Sequence, residues 1–264
     1  MKKGISYISA IVLPMALILA SFTKNSTKSY EPEMVSVEGG SFAMGNKNKD
    51  EYDAKPVHQV TLSSFKMSKY EITNAQWKAV MGNNPSVNKD CDNCPVDNVK
   101  WNEVQDYLKK LDSLTGKHYR LPTEAEWEFA ASSGKKTHGY VYAGGDDINT
   151  VAWYAKNSNH TTHPVGTKQP NELGIYDMTG NVVEWCNDRY AEYDAKSQEI
   201  DIYNYIPNIP RVNAQGLAIG EGHVMRGGSW AQRPEYSRVT TRGDDCAAWH
   251  GNFGFRVVLS PSSF

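Results

Sequence analysis

The sequence predicts an α+β domain with short strands, three short helices and much irregular structure. Three observations carry this expectation. Short alternating apolar runs open the chain's folded part, three helical segments follow with their own cap residues, and the remainder is rich in glycine, asparagine and aromatic residues with only brief periodic runs.

The first pair of strands reads as a hairpin. Met34-Val35-Ser36-Val37 alternates, Gly39-Gly40 supplies the turn, and Ser41-Phe42-Ala43-Met44 returns to Gly45. Val57 to Leu62 and Phe65 to Tyr70 read as two further strands. Thr73 with Gln76 forms a capping box for a helix carrying Ala75, Trp77 and Val80, which Gly82 ends. Asn102 caps a second helix, in which Val104, Tyr107, Leu108, Leu111 and Leu114 keep helical spacing as far as Gly116. A third, capped by Thr123 with Glu126, carries Trp127, Phe129 and Ala130 and stops near Gly134.

From Lys135 onward the apolar runs shorten to Ile175-Tyr176, Val182-Val183-Glu184-Trp185, Val224-Met225-Arg226 and Phe255 to Leu259. Loops joined by short strands make a poor core alone, so metal ions or disulfides are expected to fasten this half.

The start of the chain carries a different message. Met1-Lys2-Lys3 precedes an apolar run from Ile5 to Ala20, with small residues at its end, the pattern of a secretory signal. A spanning helix wants roughly 20 apolar residues, and Ser6, Ser9 and Pro14 interrupt this run. Ser21 and Phe22 stand where a lipoprotein would need a cysteine, so no stable membrane anchor is expected after cleavage. The expected division is therefore a signal peptide at 1–21, a flexible leader at 22–33 and one domain at 34–264, located in the periplasm or outside the cell.

Composition narrows the partners. A net charge of -2 gives no electrostatic case for nucleic acid or an anionic membrane, while 39% hydrophobic and 11% aromatic residues suffice for a core. The four cysteines are Cys91, Cys94, Cys186 and Cys246. Outside the cytoplasm an even count suggests disulfides. Cys91-Asp92-Asn93-Cys94 lies in a loop before Pro95 and reads as a small local disulfide, whereas a redox motif needs a strand-to-helix setting. Cys186 and Cys246 either pair with each other or leave a buried thiol.

Seven blocks then stand in order over nearly the whole domain. They are Gly39 to Gly45, Tyr70-Glu71-Ile72-Thr73-Asn74 with Trp77, Pro95-Val96 with Trp101, Tyr119 to Glu128, Gly174 to Trp185, Arg226-Gly227-Gly228-Ser229-Trp230, and Gly254-Phe255-Arg256. Together they resemble the formylglycine-generating enzymes, or sulfatase-modifying factors, from about Met34 to Leu259. The resemblance implies a fold related to C-type lectins, with bound calcium.

It also implies an activity whose chemistry this chain lacks. Catalytic members oxidise a client sulfatase's cysteine with oxygen and copper, using two thiolates as soft ligands for Cu(I). Aligned on Trp230, the family's cysteine positions fall at Gln232 and Ser237. The expectation is therefore a member without catalytic residues and without copper.

Calcium is expected instead. By resemblance, one family site uses a side-chain oxygen at Asp177, carbonyls at Gly180 and Val182, and a carboxylate at Glu184. Calcium takes 6–8 hard oxygen ligands that mix carboxylates with carbonyls, and Gly180 permits the tight turn. The competing arrangement has Asp177 capping backbone amides and Glu184 facing solvent. A second family site would fall near Asn149 and Val151, where the downstream acidic and aromatic ligands are not visible. Neither the seven histidines nor any Ser-His-Asp set has convincing catalytic or metal spacing, and Arg226 and Arg256 read as core residues held by hydrogen bonds.

The segment from Ala231 to Asn252 lines the client groove in the related enzymes. Here it offers Gln232, Arg233, Glu235, Tyr236, Ser237, Arg242, Trp249 and His250, a mix of aromatic anchors and adaptable polar groups. The sequence thus predicts a recognition or scaffold protein for a protein, peptide or glycan ligand. The alternatives are a formylglycine-type oxidoreductase or a structural component of the cell envelope.

Overall fold

The computed structural model describes Met1 and residues 30–48, 50, 51, 53–193, 222–243 and 251–259. The expected signal peptide and most of the leader lie outside the described residues. The leader's last residues pack on the domain: Lys117 and Lys69 meet Glu31 and Glu33, and Gln76 Nε2 donates to the Glu31 carbonyl.

The chain forms an α+β arrangement of three small sheets. Strands β1 (Met34–Val37), β2 (Gly40–Met44), β3 (His58–Leu62) and β4 (Phe65–Ser68) come first. The predicted β1–β2 hairpin is not formed. Strand β1 pairs antiparallel with β4, in register Met34 with Ser68, and β2 pairs with β3, in register Gly40 with Leu62. The reason is visible at Gly39, where a Cβ would stand 2.3 Å from the Leu62 carbonyl oxygen. Gly39 lets two chain segments cross closely, and the turn between β1 and β2 carries the strand into a different sheet.

Helix α1 (Asn74–Met81) has the expected capping box of Thr73 and Gln76 and ends at Gly82 with φ +81°. Helix α2 (Trp101–Thr115) begins before the expected Asn102 cap: its cap position is Lys100, whose backbone N–H donates to Glu103 Oε2 at 2.8 Å. Lysine has no acceptor to cap with, so the Glu103 carboxylate performs that role from inside the helix. After β5 (Tyr119–Arg120), helix α3 (Glu124–Ala131) starts at the predicted Thr123–Glu126 box. Every residue of α3 is buried, which makes it the central rod of the fold.

The second half supplies α4 (Ile148–Val151), β6 (Val183–Arg189), β7 (His223–Arg226), β8 (Arg242–Gly243), β9 (Phe253–Gly254) and β10 (Val258–Leu259). Two four-stranded sheets result, in the orders β1-β4-β10-β5 and β8-β7-β6-β9. Ile175-Tyr176 joins no ladder. The predicted Phe255–Leu259 run shortens to Val258–Leu259, which lies between β4 and β5, while Phe253–Gly254, just before it, runs parallel to β6. One apolar cluster gathers Trp127, Phe129, Met67 and Val60 around α3. A second stacks Trp77 on Tyr107 at 5.2 Å with Phe255 edge-on to both.

Candidate functional site

The turn before β6 is built by residues whose conformations few side chains tolerate. Asp177, Gly180 and Asn181 have φ of +56°, +81° and +59°. A Cβ on Gly180 would lie 2.3 Å from the Trp153 carbonyl oxygen, so only glycine fits there. Asn181 holds the turn: its Nδ2 donates to Glu71 Oε2 at 2.7 Å and its Oδ1 accepts from His163 N at 3.0 Å. Glu71 Oε1 in turn accepts from Val182 N at 3.0 Å.

Asp177 and Glu184 flank this turn, both buried. Asp177 Oδ2 accepts from Gly166 N at 2.7 Å, as the backbone-capping arrangement expects, but Oδ1 has no partner. Glu184 does not face solvent. Arg256 donates to both its oxygens at 2.7 Å, and Trp127 Nε1 adds a bond to Oε2 at 2.6 Å. An internal guanidinium therefore already neutralises the carboxylate expected as a calcium ligand.

The surroundings nevertheless suit a hard cation in charge and donor type. Three buried carboxylates, Glu71, Asp177 and Glu184, share one guanidinium. Burial pushes the Glu71 carboxyl well up, and the Asp177 and Glu184 charges push it further; the Asp177 carboxyl, also raised by burial, sits at about 6. The unmatched Asp177 Oδ1 lies in a turn that offers backbone carbonyls. Among the described residues no three histidine, cysteine or acidic side chains converge as a metal cage, so most ligands would have to be carbonyls or water. At the second expected position the Asn149 carbonyl accepts from Lys168 Nζ at 2.6 Å, and that ammonium sits 4.1 Å over Trp153.

The segment after β7 is clamped by two arginines. Arg226 is buried and pairs with Glu128, while its guanidinium donates to the carbonyls of Val239, Thr240 and Thr241 at 2.8–3.1 Å. Arg242 pairs with Glu124 through two bonds of 2.6 and 2.7 Å and stacks over Tyr193 at 3.8 Å. It is 7% exposed, so its expected place on the ligand surface is corrected: it is part of the core.

The positions expected to bear cysteines in catalytic relatives are held differently. Ser237 is fully buried with its Oγ unpartnered, and a Cβ on Gly228 would stand 2.2 Å from that oxygen. Burial corrects its place on the ligand surface too. Gln232 is half-buried, anchored through its carbonyl to Ala155 N at 3.0 Å. It lines a cavity of about 150 Å³ with Tyr236, Gly227, Gly228 and Thr241. Arg233, Glu235 and Tyr236 are exposed as expected, with Arg233 paired to Glu235 at 3.3 Å. Trp249, His250 and Cys246 lie outside the described residues.

Cys91 and Cys94 form a disulfide with a Cα–Cα distance of 5.3 Å. Cys186 is a free, fully buried thiol, pushed well above its usual range by burial and by the nearby Asp188 and Glu124 charges. Sequence reasoning missed Glu71, Glu124 and Glu128. Glu124, Glu126 and Glu128 alternate through a helix otherwise made of tryptophan, phenylalanine and alanine, and buried acids in such a helix require guanidinium partners elsewhere.

Fold and site together define an α+β domain of the sulfatase-modifying type. The chain belongs to the family described as the sulfatase-modifying factor enzyme 1-like domain, which matches residues 20–261. It is 34% identical over 236 residues to the chaperone protein LppX of Paenibacillus barcinonensis, covering 70% of this chain and 81% of that protein. It is 28% identical to the formylglycine-generating enzyme of Streptomyces coelicolor, covering 85% and 88%. It is 27% identical to the inactive C-alpha-formylglycine-generating enzyme 2 of Bos taurus, covering 85% and 87%. The chain spans 38% of the length of the chlamydial serine/threonine-protein kinases pkn1 that it also matches. Among solved structures, Treponema denticola variable protein 1 superposes with a TM-score of 0.74 at 28% identity, covering 86% of this chain and 95% of that one.

Proposed function

We propose that this protein is an exported, non-catalytic member of its family that recognises a protein, peptide or glycan, with residues 231–243 as part of the contact surface. The observation that carries the reading is the pair Gln232 and Ser237. Neither supplies sulfur, and Ser237 is sealed beneath Gly228. Cys186, the free cysteine among the described residues, is buried with its thiol kept protonated, so it offers no thiolate for Cu(I). Relatives support the reading in two ways: one is named inactive and another is named a chaperone protein. Export rests on the basic and apolar start of the chain.

Calcium belongs to the same proposal, held by Asp177 with carbonyls of the 180–182 turn and beside Glu184. When bound, it would supply positive charge to a buried cluster in which acids outnumber the guanidinium. Its role is structural.

The test is incubation of the purified chain with a peptide bearing Cys-x-Pro-x-Arg, with and without copper, while the peptide mass is followed. An unchanged mass beside an enzyme that converts fully is the expected result. Copper-dependent conversion would overturn the reading in favour of the oxidoreductase, which the similarity to the Streptomyces coelicolor enzyme favours.

A further inference from the structure

We propose that a second site lies along the open edge of β2 and takes an uncharged, extended peptide as an added strand. The sheet containing β2 has two strands, and among the described residues β2 has a neighbour on one edge only, β3. A cavity of about 650 Å³ borders β2, large enough for a ligand of several residues. Its position is set by which residues line it. Ser41, Phe42 and Ala43 do so consecutively, and no residue of β3 does. Side chains of a strand alternate between faces, so a cavity over one face would touch alternate residues. Contact with three in a row puts it at the edge, opposite β3.

The far wall has the features of a recognition surface. It is made by Tyr140 and Val141, 38% and 44% exposed, together with Arg238, Val239 and Thr240. Tyr140 and Val141 are among the exposed large hydrophobic side chains of the described residues. The two stretches of this wall are joined, because Val239 N donates to the Val141 carbonyl at 3.0 Å.

Charge selects the occupant. The charged residues lining the cavity have partners of opposite sign: Lys135 meets Glu38 at 2.6 Å, and Arg238 meets Glu51 at 3.0 Å. Glu51 also accepts from Thr240 Oγ1 at 2.6 Å. The cavity therefore offers no unmatched charge to an acidic or basic segment. What it offers is a strand edge with main-chain groups for pairing, and apolar side chains at Phe42, Phe129 and Val141 for alternate residues of the guest.

This site meets the proposed contact surface only at residues 238–240, shares no lining residue with the Gln232 cavity, and does not depend on whether the protein is catalytic. The test uses the whole chain and a fluorescein-labelled, blocked hexapeptide of alternating threonine and valine, which contains no cysteine. Saturable anisotropy is expected, with slowed hydrogen exchange at the amides of residues 40–44. N-methylation of alternate peptide amides, and separately Val141→Glu, should each weaken binding at least 10-fold, the variant keeping its parent's Tm. No saturation up to millimolar peptide, equal binding of the N-methylated peptide, or protection elsewhere would overturn the proposal. So would concentration-dependent self-association with the same protection, which would assign the edge to a second copy of the chain.

Discussion

Arg256 and Glu184 form an ion pair that no solvent reaches, with Nε and Nη2 each donating to a different carboxylate oxygen at 2.7 Å. They come from β6 and from the link between β9 and β10, 72 residues apart. Through Ser68 and Tyr176, whose carbonyls accept from the same guanidinium, the pair ties two sheets to the Asp177 turn. Arg256→Met removes the counter-charge of three buried acids, and breaking such a pair costs about 3–5 kcal/mol. Urea unfolding should show that loss in the midpoint, and a change below about 1 kcal/mol would mean that the acids are neutral in the folded state.

Calcium changes the balance at the same place. Titrating calcium into the metal-free protein should raise Tm, and Asp177→Ala should abolish the rise. The gain follows the ratio of free calcium to Kd, reaching about 2.7 kcal/mol at 100 Kd. Differential scanning calorimetry in chelator and in millimolar calcium reads it directly; identical curves for the parent protein would remove calcium from the account.

Asp97 gives the domain a pH-dependent element away from that cluster. It is 1% exposed, and burial raises its carboxyl from 3.8 to about 6 against the opposing Val87 N–H and Ser86 hydroxyl. A raised carboxyl favours the protonated folded state, so this contribution is complete below 3.8 and is lost as pH rises through 6. The difference corresponds to about 3 kcal/mol. Asp97→Asn should flatten the stability profile between pH 4 and 6.5 relative to the parent, as measured by denaturant midpoints.

Restoring sulfur tests the alignment of the family's cysteine positions. The double variant Gln232→Cys and Ser237→Cys should compete for Cu(I) with a chromophoric chelator under reducing conditions, while the parent does not. Two thiolates are soft ligands suited to that ion. Failure to compete in a folded variant would mean that these two positions do not face each other.

Removing the Cys91–Cys94 bridge should have a modest effect. The loop closed is only three residues in separation, so a chain-entropy estimate gives about 2 kcal/mol. Comparison of the double serine variant with the parent in urea checks it.

Local features of this fold were readable from sequence, and pairings across the chain were not. Thr73 with Gln76, Thr123 with Glu126, and the stops at Gly82 and Gly116 follow from neighbours three or four residues away, and the structure has all of them. The β1–β2 hairpin failed because Met34–Val37 finds its partner at Phe65–Ser68, and no local signal distinguishes that strand from the adjacent one. Arg242 read as a ligand contact for the same reason. A guanidinium in a polar loop serves a surface or a core equally well, and what decides is Glu124, 118 residues away. The Asp177–Glu184 segment stood out through family resemblance, yet Glu71, which shapes it from 110 residues upstream, carried no mark of its role.

The sheet order β1-β4-β10-β5 places a late strand in an inner position. Val258–Leu259 bridges Phe65–Ser68 to Tyr119–Arg120, so Tyr119–Arg120 has no strand neighbour, and Phe65–Ser68 only Met34–Val37, until residue 259 has left the ribosome. Such closure demands contacts of large sequence separation, which form slowly because the entropy of bringing distant segments together precedes any reward. A nascent chain of this topology therefore keeps one edge of each of these strands exposed to chaperones or to aggregation until residues 258–259 arrive.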